Sequence, residues 1–463
     1  MFAELGMQLQ PRVAATLPSW PEVLGYYRSS TKPTVPDVLR DADRSGRPAV
    51  QPRCGVGAHD AMMALLRSLE KHGEPDILTL TIDSYTRLKR FSTAASTLRR
   101  APRELNGYPL VAHGWRRGRE LNNAVRAPLE VRHGSPDGRE LFAVTVASGI
   151  TSYEGGGITY NIPYCKDVPL DVSLEAWRQI DAACGVLASA GVVVDREVFG
   201  TLTAVLMPPS ICLAVCLLEA YAAAVEGVRC VSIAYPQGGE IHQDVAALRL
   251  IRELAERYLP PGVEVYPVLH QFMGVFPRVA EVADALILFG GLTARLGGAT
   301  KIINKTNQEA FGIPDPMANA QGIRTTVLAC TEFLDFVALD EERVAEETYW
   351  LRREVVELIE PVLDGGYLLK EIADAFRSGR LDVPFSASVH ARSEVIPRRD
   401  EHGAIRFLHA GNLPFSRATL RRNEQRLRAR REPRNRLIES ITRDIDYFKA
   451  YDARRRVPLF ARR

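Results

Sequence analysis

Arg53, Arg87 and Arg132 each fall at the end of a β-rich run, Glu154 and Lys305 fall at the ends of others, and Glu309 follows Lys305 by one helical turn. Arginine presents a planar fork that grips a carboxylate through two parallel hydrogen bonds. Three forks on one rim suit a ligand with two carboxylates. Glu154, in SYEGGGITYNIPYC (152–165), would repel a ligand that is only negative. It has a use if the ligand also carries an ammonium group, and two carboxylates with one ammonium describe an acidic amino acid. Tyr160 and Tyr164 can donate hydrogen bonds and wall a pocket, and His133 stands beside Arg132. The glycines let the backbone turn tightly against a ligand. Taken singly, the glycine triplet also reads as a plain turn, and any one arginine as half of a surface ion pair.

These residues need a scaffold that brings distant strand ends together. Short β-rich runs recur at PAVQPR (48–53), ILTLTIDSYT (77–86), LVAHG (110–114), LEVRHG (129–134), GITSYE (149–154), VVVDREVFG (192–200), VSIAYPQ (231–237), VEVYPVLHQ (263–271) and ATKIINK (299–305). Helical patterns such as HDAMMALLRSLEKHG (59–73) and DVAALRLIRELAERYL (244–259) separate them. Strand, helix, strand at this spacing predicts parallel βαβ units, and eight or nine of them predict a (β/α)8 barrel of the α/β class, with a doubly wound sheet as the alternative. Such a barrel is expected to be filled with apolar side chains and to carry its chemistry on the loops after the strands. Residues 1–46 read as an irregular, proline-containing arm, 47–335 as the barrel, and 336–463 as a mainly helical extension with a basic tail.

Composition bounds the rest. The 463 residues are 46% hydrophobic and 25% charged, with a formal net charge of +3, an ordinary globular balance that argues for no nucleic-acid partner. No run of apolar residues is long enough for a membrane span, and the N-terminus lacks the basic and apolar regions of a signal peptide. The seven cysteines form no CxxC pair, so neither a zinc cage nor a disulfide framework is expected, and a reducing cytoplasm fits. Cys212 and Cys216 read as small buried residues on one helix face. The basic segment ATLRRNEQRLRARREPRNR (418–436) reads as a solvated helix face without aromatic interleaving.

The motifs QPRCG, IDSYTR, LNGYPLVAHG, VRHGSPD, TSYEGGGITYNIPY, LHQFMGVFP and GATKIINKTNQEAFGIP, in this order, resemble the large catalytic (epsilon) subunit of glutamate mutase, also called methylaspartate mutase. The resemblance runs from about residue 48 to 325 and continues more weakly to the C-terminus. It implies a (β/α)8 barrel that forms a homodimer within a heterotetramer, an isomerase active with a small cobalamin-binding (sigma) subunit. That subunit carries a DxHxxG signature, which this chain lacks, and adenosylcobalamin lies between the two. The implied reaction is the radical interconversion of L-glutamate and (2S,3S)-3-methylaspartate.

Carried over residue by residue, the resemblance puts Arg53, Arg87 and Arg132 on the substrate carboxylates with His133 beside them, Glu154 on the amine, and Tyr160 and Tyr164 against the substrate. Glu154 and Arg132 become the catalytic pair. Gly55, Asn106, Pro163, Phe276, Lys305, Glu309 and Ile313 would line the cofactor, and no metal site of the chain's own is implied. Two other readings remain open: a divergent paralogue acting on a related acidic amino acid, and a homologue that binds a ligand or partner without turnover. A barrel for a phosphorylated substrate, using the glycines of GGLTARLGGATK (290–301), is a further rival.

Overall fold

A computed structural model describes residues 6–430 and 436–454. Eight parallel strands run β1 (Ala49–Gln51), β2 (Leu78–Thr81), β3 (Leu129–Arg132), β4 (Ser152–Glu154), β5 (Asp195–Val198), β6 (Cys230–Pro236), β7 (Glu264–His270) and β8 (Lys301–Ile303). Their order in the sheet is β1-β8-β7-β6-β5-β4-β3-β2, the order of a barrel opened at one seam. Backbone bonds close that seam: Asp76 N–H donates to Val50 O (3.1 Å) and Thr81 N–H to Cys54 O (2.9 Å). Helices surround the sheet, so the chain is a (β/α)8 barrel.

Strand periodicity decides what fills it. Successive side chains point to opposite faces. In β2 the leucines Leu78 and Leu80 join the hydrophobic layer beneath the helices, as do Leu129 and Val131 in β3. The alternate residues turn inward, and most are polar: Gln51, Thr79, Glu130, Arg132, Ser152, Glu154, Asp195, Glu197, Ser232 and Lys301, all buried. The expected apolar filling is thus confined to a few positions such as Ala234, Val268 and Ile303. Carboxylates and cations inside a barrel persist because they neutralise one another.

Three other expectations change. LVAHG is no strand: it opens the helical segment Leu110–Asn123, with a kink at Gly114 (φ 80°, ψ 165°). Leu110, Trp115, Gly118, Leu121 and Asn122 are its buried positions, a helical spacing that five residues cannot display. The proline-containing N-terminus is not irregular but folds into helices Pro11–Ala14, Trp20–Ser29 and Val35–Ser45, each with proline in its first turn, where the missing N–H costs nothing. Thr34 and Asp37 form a capping box on the third. Val35, Leu39 and Ala42 of that helix pack with Ala49, Ile77, Cys230 and Tyr266 and stopper the N-terminal pole of the barrel. Finally, Gly290 and Gly291 lie inside the helix Ala280–Leu296, where Gly291 packs on Ala329 and Thr326, so these two form no phosphate loop.

After the barrel come helices Glu341–Leu363 and Leu368–Ser378, an antiparallel hairpin β9 (Ile396–Arg399) and β10 (Ile405–His409), and helices Arg417–Leu427 and Leu437–Ile445. The basic face of Arg417–Leu427 is paired: Arg422 and Arg426 reach Glu346 at 2.8 and 2.5 Å. Residues 431–435 of the basic segment lie outside the described residues. Cys212 and Cys216 are buried side by side in the helix Pro209–Val225, as expected.

Candidate active site

A cavity of about 310 Å³ opens at the C-terminal ends of the strands, lined by Arg53, Arg87, Arg132, His133, Glu154, Tyr160 and Tyr164 among others. All seven residues expected around a substrate therefore meet in one place. Each is held by its own local device. Arg53 leaves β1 between Pro52 and Cys54; next to it Gly55 passes so close to β2 that a Cβ there would lie 2.5 Å from Thr81 O. Arg87 ends the short helix Ser84–Arg87, capped by Asp83, whose Oδ1 accepts from Tyr85 N–H (2.9 Å) and Thr86 N–H (3.0 Å). Tyr160 and Tyr164 lie on the turn after β4, and Tyr160 OH donates to Glu154 Oε2. Tyr164 is 48% exposed at the rim.

The three arginines are not equivalent. Among the described residues, Arg53 and Arg87 form no ion pair, and Arg87 Nε is buried without a hydrogen-bond partner. Arg132 is surrounded. Its Nη1 donates to Glu130 Oε1 (2.8 Å) and Glu197 Oε1 (3.0 Å), and its Nη2 donates to Glu154 Oε1 and lies 3.1 Å from His270 Nε2. Below it Lys301 Nζ sits 2.6 Å from Glu130 Oε2 and 2.5 Å from Glu197 Oε2. Ser152 Oγ ties Glu130 Oε2 to Asp195 Oδ2, at 3.0 and 2.9 Å. Glu154, Glu197 and His270 have donor atoms close enough to resemble a metal cluster. The Arg132 guanidinium already bonds all three, so a cation occupies that position.

Burial and charge set the protonation states. Burial pushes Glu154 up to about 8; Arg132 pulls it back, while Glu197 and Glu130 add repulsion. Glu197 goes the other way: burial opposes its charge, but Lys301 and Arg132 overcome that and hold it well below the usual carboxylate range. Burial takes His270 down to about 3 and His133 well below its ordinary value, with Arg196 adding to the latter. His133 is therefore neutral. Its Nδ1 accepts from Ser135 N–H (3.0 Å), which leaves the proton on Nε2, a buried atom with no hydrogen-bond partner.

A second cavity of about 240 Å³ shares Arg53, Thr81 and Arg87 with the first and is lined also by Gly55, Asn106, Asn304, Glu309 and Ile313. It thus gathers four of the seven residues expected around a cofactor. Lys305 is buried and ion-paired with Glu309; burial brings its ammonium down to about 8. Pro163 lies in the turn after β4, and Phe276 packs with Phe272, Ala283, Leu286 and Ile287; they line neither cavity. The interior partners Glu130, Glu197, His270 and Lys301 were not among the expected site residues. For Glu130 and Glu197 a signal was present, as acids spaced one residue from inward neighbours in LEVR and DREV.

The family model described as Methylaspartate mutase E chain (MutE) matches residues 31–450. Curated relatives named glutamate mutase epsilon subunit include one from Halobacterium salinarum, 41% identical over 85% of this chain and 84% of its own length. Others come from Desulfitobacterium hafniense (40%, covering 88% and 87%) and Escherichia coli O157:H7 (38%, covering 88% and 87%). The chain belongs to the methylaspartate mutase E chain family.

Proposed function

We propose that this member of the methylaspartate mutase E chain family is the large subunit of an adenosylcobalamin-dependent isomerase that interconverts L-glutamate and (2S,3S)-3-methylaspartate, working with a separate cobalamin-binding small subunit. The observation that carries this reading is the pairing, in one cavity, of two unpartnered arginines with an arginine that is already bonded to a glutamate. Unpaired guanidinium groups walled by tyrosines are costly unless an anion arrives, and Glu154 supplies the complementary charge for an amine.

Substrate binding then becomes an exchange. One carboxylate takes the open forks of Arg53 and Arg87. The other displaces Glu154 from Arg132 while Glu130 and Glu197 keep that guanidinium fixed. Glu154, released, accepts the ammonium and remains oriented by Tyr160. Burial favours the protonated form of Glu154 in the empty site, so uptake of the ammonium is accompanied by release of the carboxyl proton to solvent, and the resulting carboxylate can then exchange a proton with the amine. His133 Nε2–H offers one more donor to a carboxylate. The arginines together replace diffusion by fixed geometry, which suits a rearrangement whose pieces must recombine before they separate.

The second cavity fits the cofactor's edge. Asn304 Oδ1 is buried and unpartnered on its wall, and Gly55 presents bare backbone. Ile313 on the lining of this cavity is 67% exposed, and Leu88 on the lining of the first cavity is 59% exposed, apolar surface that a broad amphipathic disc or an apposed subunit would cover. Gly55, Asn106, Lys305, Glu309 and Ile313 would hold the group. When bound, adenosylcobalamin supplies a radical by homolysis of its cobalt–carbon bond, and the chain positions and confines the substrate.

The test combines the chain with a cobalamin-binding small subunit, adenosylcobalamin and L-glutamate. Methylaspartate should appear by NMR, with a cobalt-coupled radical by EPR. 2-Hydroxyglutarate, which keeps both carboxylates and lacks the ammonium, should bind more weakly than glutamate. Equal binding of the two would remove the role of Glu154. Neither product nor radical with any small subunit of the family would remove the mutase reading.

A further inference from the structure

The turn that carries Tyr160 is supported from behind by groups that never face the substrate. Gly155, Gly156 and Gly157, in the chain between Glu154 and Tyr160 of the active-site cavity, line a smaller, largely apolar one of about 80 Å³. Glu219, on the helix Pro209–Val225, crosses that space. Its Oε1 accepts from Ile158 N–H and from Thr159 N–H (3.2 Å), and its Oε2 accepts from Thr159 Oγ1 (2.7 Å). The fit permits no side chain at Gly156, where a Cβ would lie 2.0 Å from Glu219 Oε2. On the front of the same turn, Gly155 lies flat against the Tyr160 ring, which a Cβ would meet at 2.3 Å.

Nothing else in this helix resembles Glu219. The sequence PSICLAVCLLEAYAAAV contains one charged residue, and it is 6% exposed. A carboxyl group buried in apolar surroundings is costly unless it does something for its partners. Here the partners are the first backbone N–H groups of the turn. Arg196 secures the other end: its Nη1 donates to Tyr153 O (2.5 Å) and its Nη2 to Gly155 O (3.0 Å), with Asp181 2.7 Å from its Nε. The void behind the glycines means that, without Glu219, the turn has room to sag away from the substrate.

We infer that Glu219 is a positioning residue: by holding the backbone of Ile158 and Thr159 it sets the reach of Tyr160 OH to Glu154 and so the aim of Glu154 at the substrate amine. This rests on the proposed role of Glu154, and the test separates the two. Glu219→Gln keeps an oxygen for the two N–H groups and an amide for Thr159 Oγ1, whereas Glu219→Leu fills similar space and accepts nothing. Hydrogen–deuterium exchange of the 155–164 segment needs no turnover. It should match wild type in Glu219→Gln and be at least ~10-fold faster in Glu219→Leu, the consequence of losing a buried acceptor. Unchanged exchange in a folded Glu219→Leu protein overturns the inference, whether or not the protein is a mutase.

Turnover of the assembled holoenzyme supplies the second arm. Glu219→Leu should lower kcat by ~10-fold or more with Glu154 present, Glu219→Gln should recover most of it, and the loss should shrink to less than ~3-fold in a Glu154→Gln background. An equal loss in both backgrounds would show that Glu219 serves the fold at large, and the inference falls. If wild type binds no glutamate and forms no product, the proposed function fails, and the exchange measurement still decides what Glu219 does.

Discussion

The floor of the barrel and its rim both carry arginine, and they treat it in opposite ways. On the floor Arg132 and Lys301 are enclosed by Glu130, Glu154, Glu197 and Asp195, and every nitrogen of the Arg132 fork that bonds does so to the protein itself. On the rim Arg53 and Arg87 are half-buried and pair with no carboxylate among the described residues. A satisfied charge in low dielectric serves the fold; an unsatisfied one waits for a ligand. Glu154 touches both regions, since it bonds Arg132 of the floor and lines the cavity at the rim. Under the proposed function it reads the amine when the site fills, and part of the binding energy is then held in an internal contact that the substrate replaces.

The comparison can be broken most sharply at Lys301. Lys301→Met removes the cation that balances Glu130 and Glu197, and stability should fall by about 3–5 kcal/mol in urea unfolding. Arg87→Met at the rim should change it by less than about 0.5 kcal/mol. Similar losses at both places would erase the distinction between floor and rim. Arg132→Lys keeps the charge and loses the fork that joins the two regions; kcat/KM should drop by about 100-fold or more while the protein stays folded by circular dichroism. Near-normal turnover there would take Arg132 out of the substrate's grip.

Smaller effects sharpen the picture. Arg87→Lys should act on binding, raising KM for glutamate by an amount worth about 1.5–3 kcal/mol with little change in kcat, read from initial rates across substrate concentration. The pH response comes last. Below about pH 8 the empty site holds a protonated Glu154, whereas an ammonium ligand favours the carboxylate. Binding then releases a proton, so glutamate affinity should rise with pH toward 8 by up to about 10-fold per unit. Calorimetry in buffers of different ionisation enthalpy would count that proton, and Glu154→Gln should flatten the slope. The same shift acts on folding with its own sign. A carboxyl whose folded value is raised stabilises the fold fully below its ordinary value and loses that contribution as pH climbs through about 8.

The rim was legible in the sequence because charges at strand ends stand out against apolar runs. Arg53, Arg87, Arg132 and Glu154 could be picked out before any fold was known; Arg132 and Glu154 end their strands and Arg53 follows its own, whereas the run 77–86 turns after Thr81 into the short helix that carries Arg87. The floor was hidden by an assumption about barrels, that their interiors are apolar, although LEVR and DREV alternate charge with period two. Pairing partners are a property of closure: Glu130 and Lys301 are 171 residues apart and meet only when the sheet curves round. LVAHG misled because so short a run, with three apolar residues, fits either regular structure, and Pro11, Pro21 and Pro36 misled because proline starts helices as readily as it ends them. Glu219 had a signal of its own, a lone acid in an apolar helix, but its target was invisible without the turn it holds.

The helix Val35–Ser45 that stoppers the N-terminal pole has a kinetic meaning. Ion pairs from Arg40 to Glu264 (2.8 Å) and from Arg252 to Asp43 fasten it across the strand starts. Above it the barrel interior is packed with buried side chains, so the cavity at the C-terminal ends of the strands has a single doorway. Under the proposed function, substrate would enter and product would leave along that one path. With a small subunit seated over it, leakage of a fragment and release of product would become one event on one clock, set by how often the lid lifts.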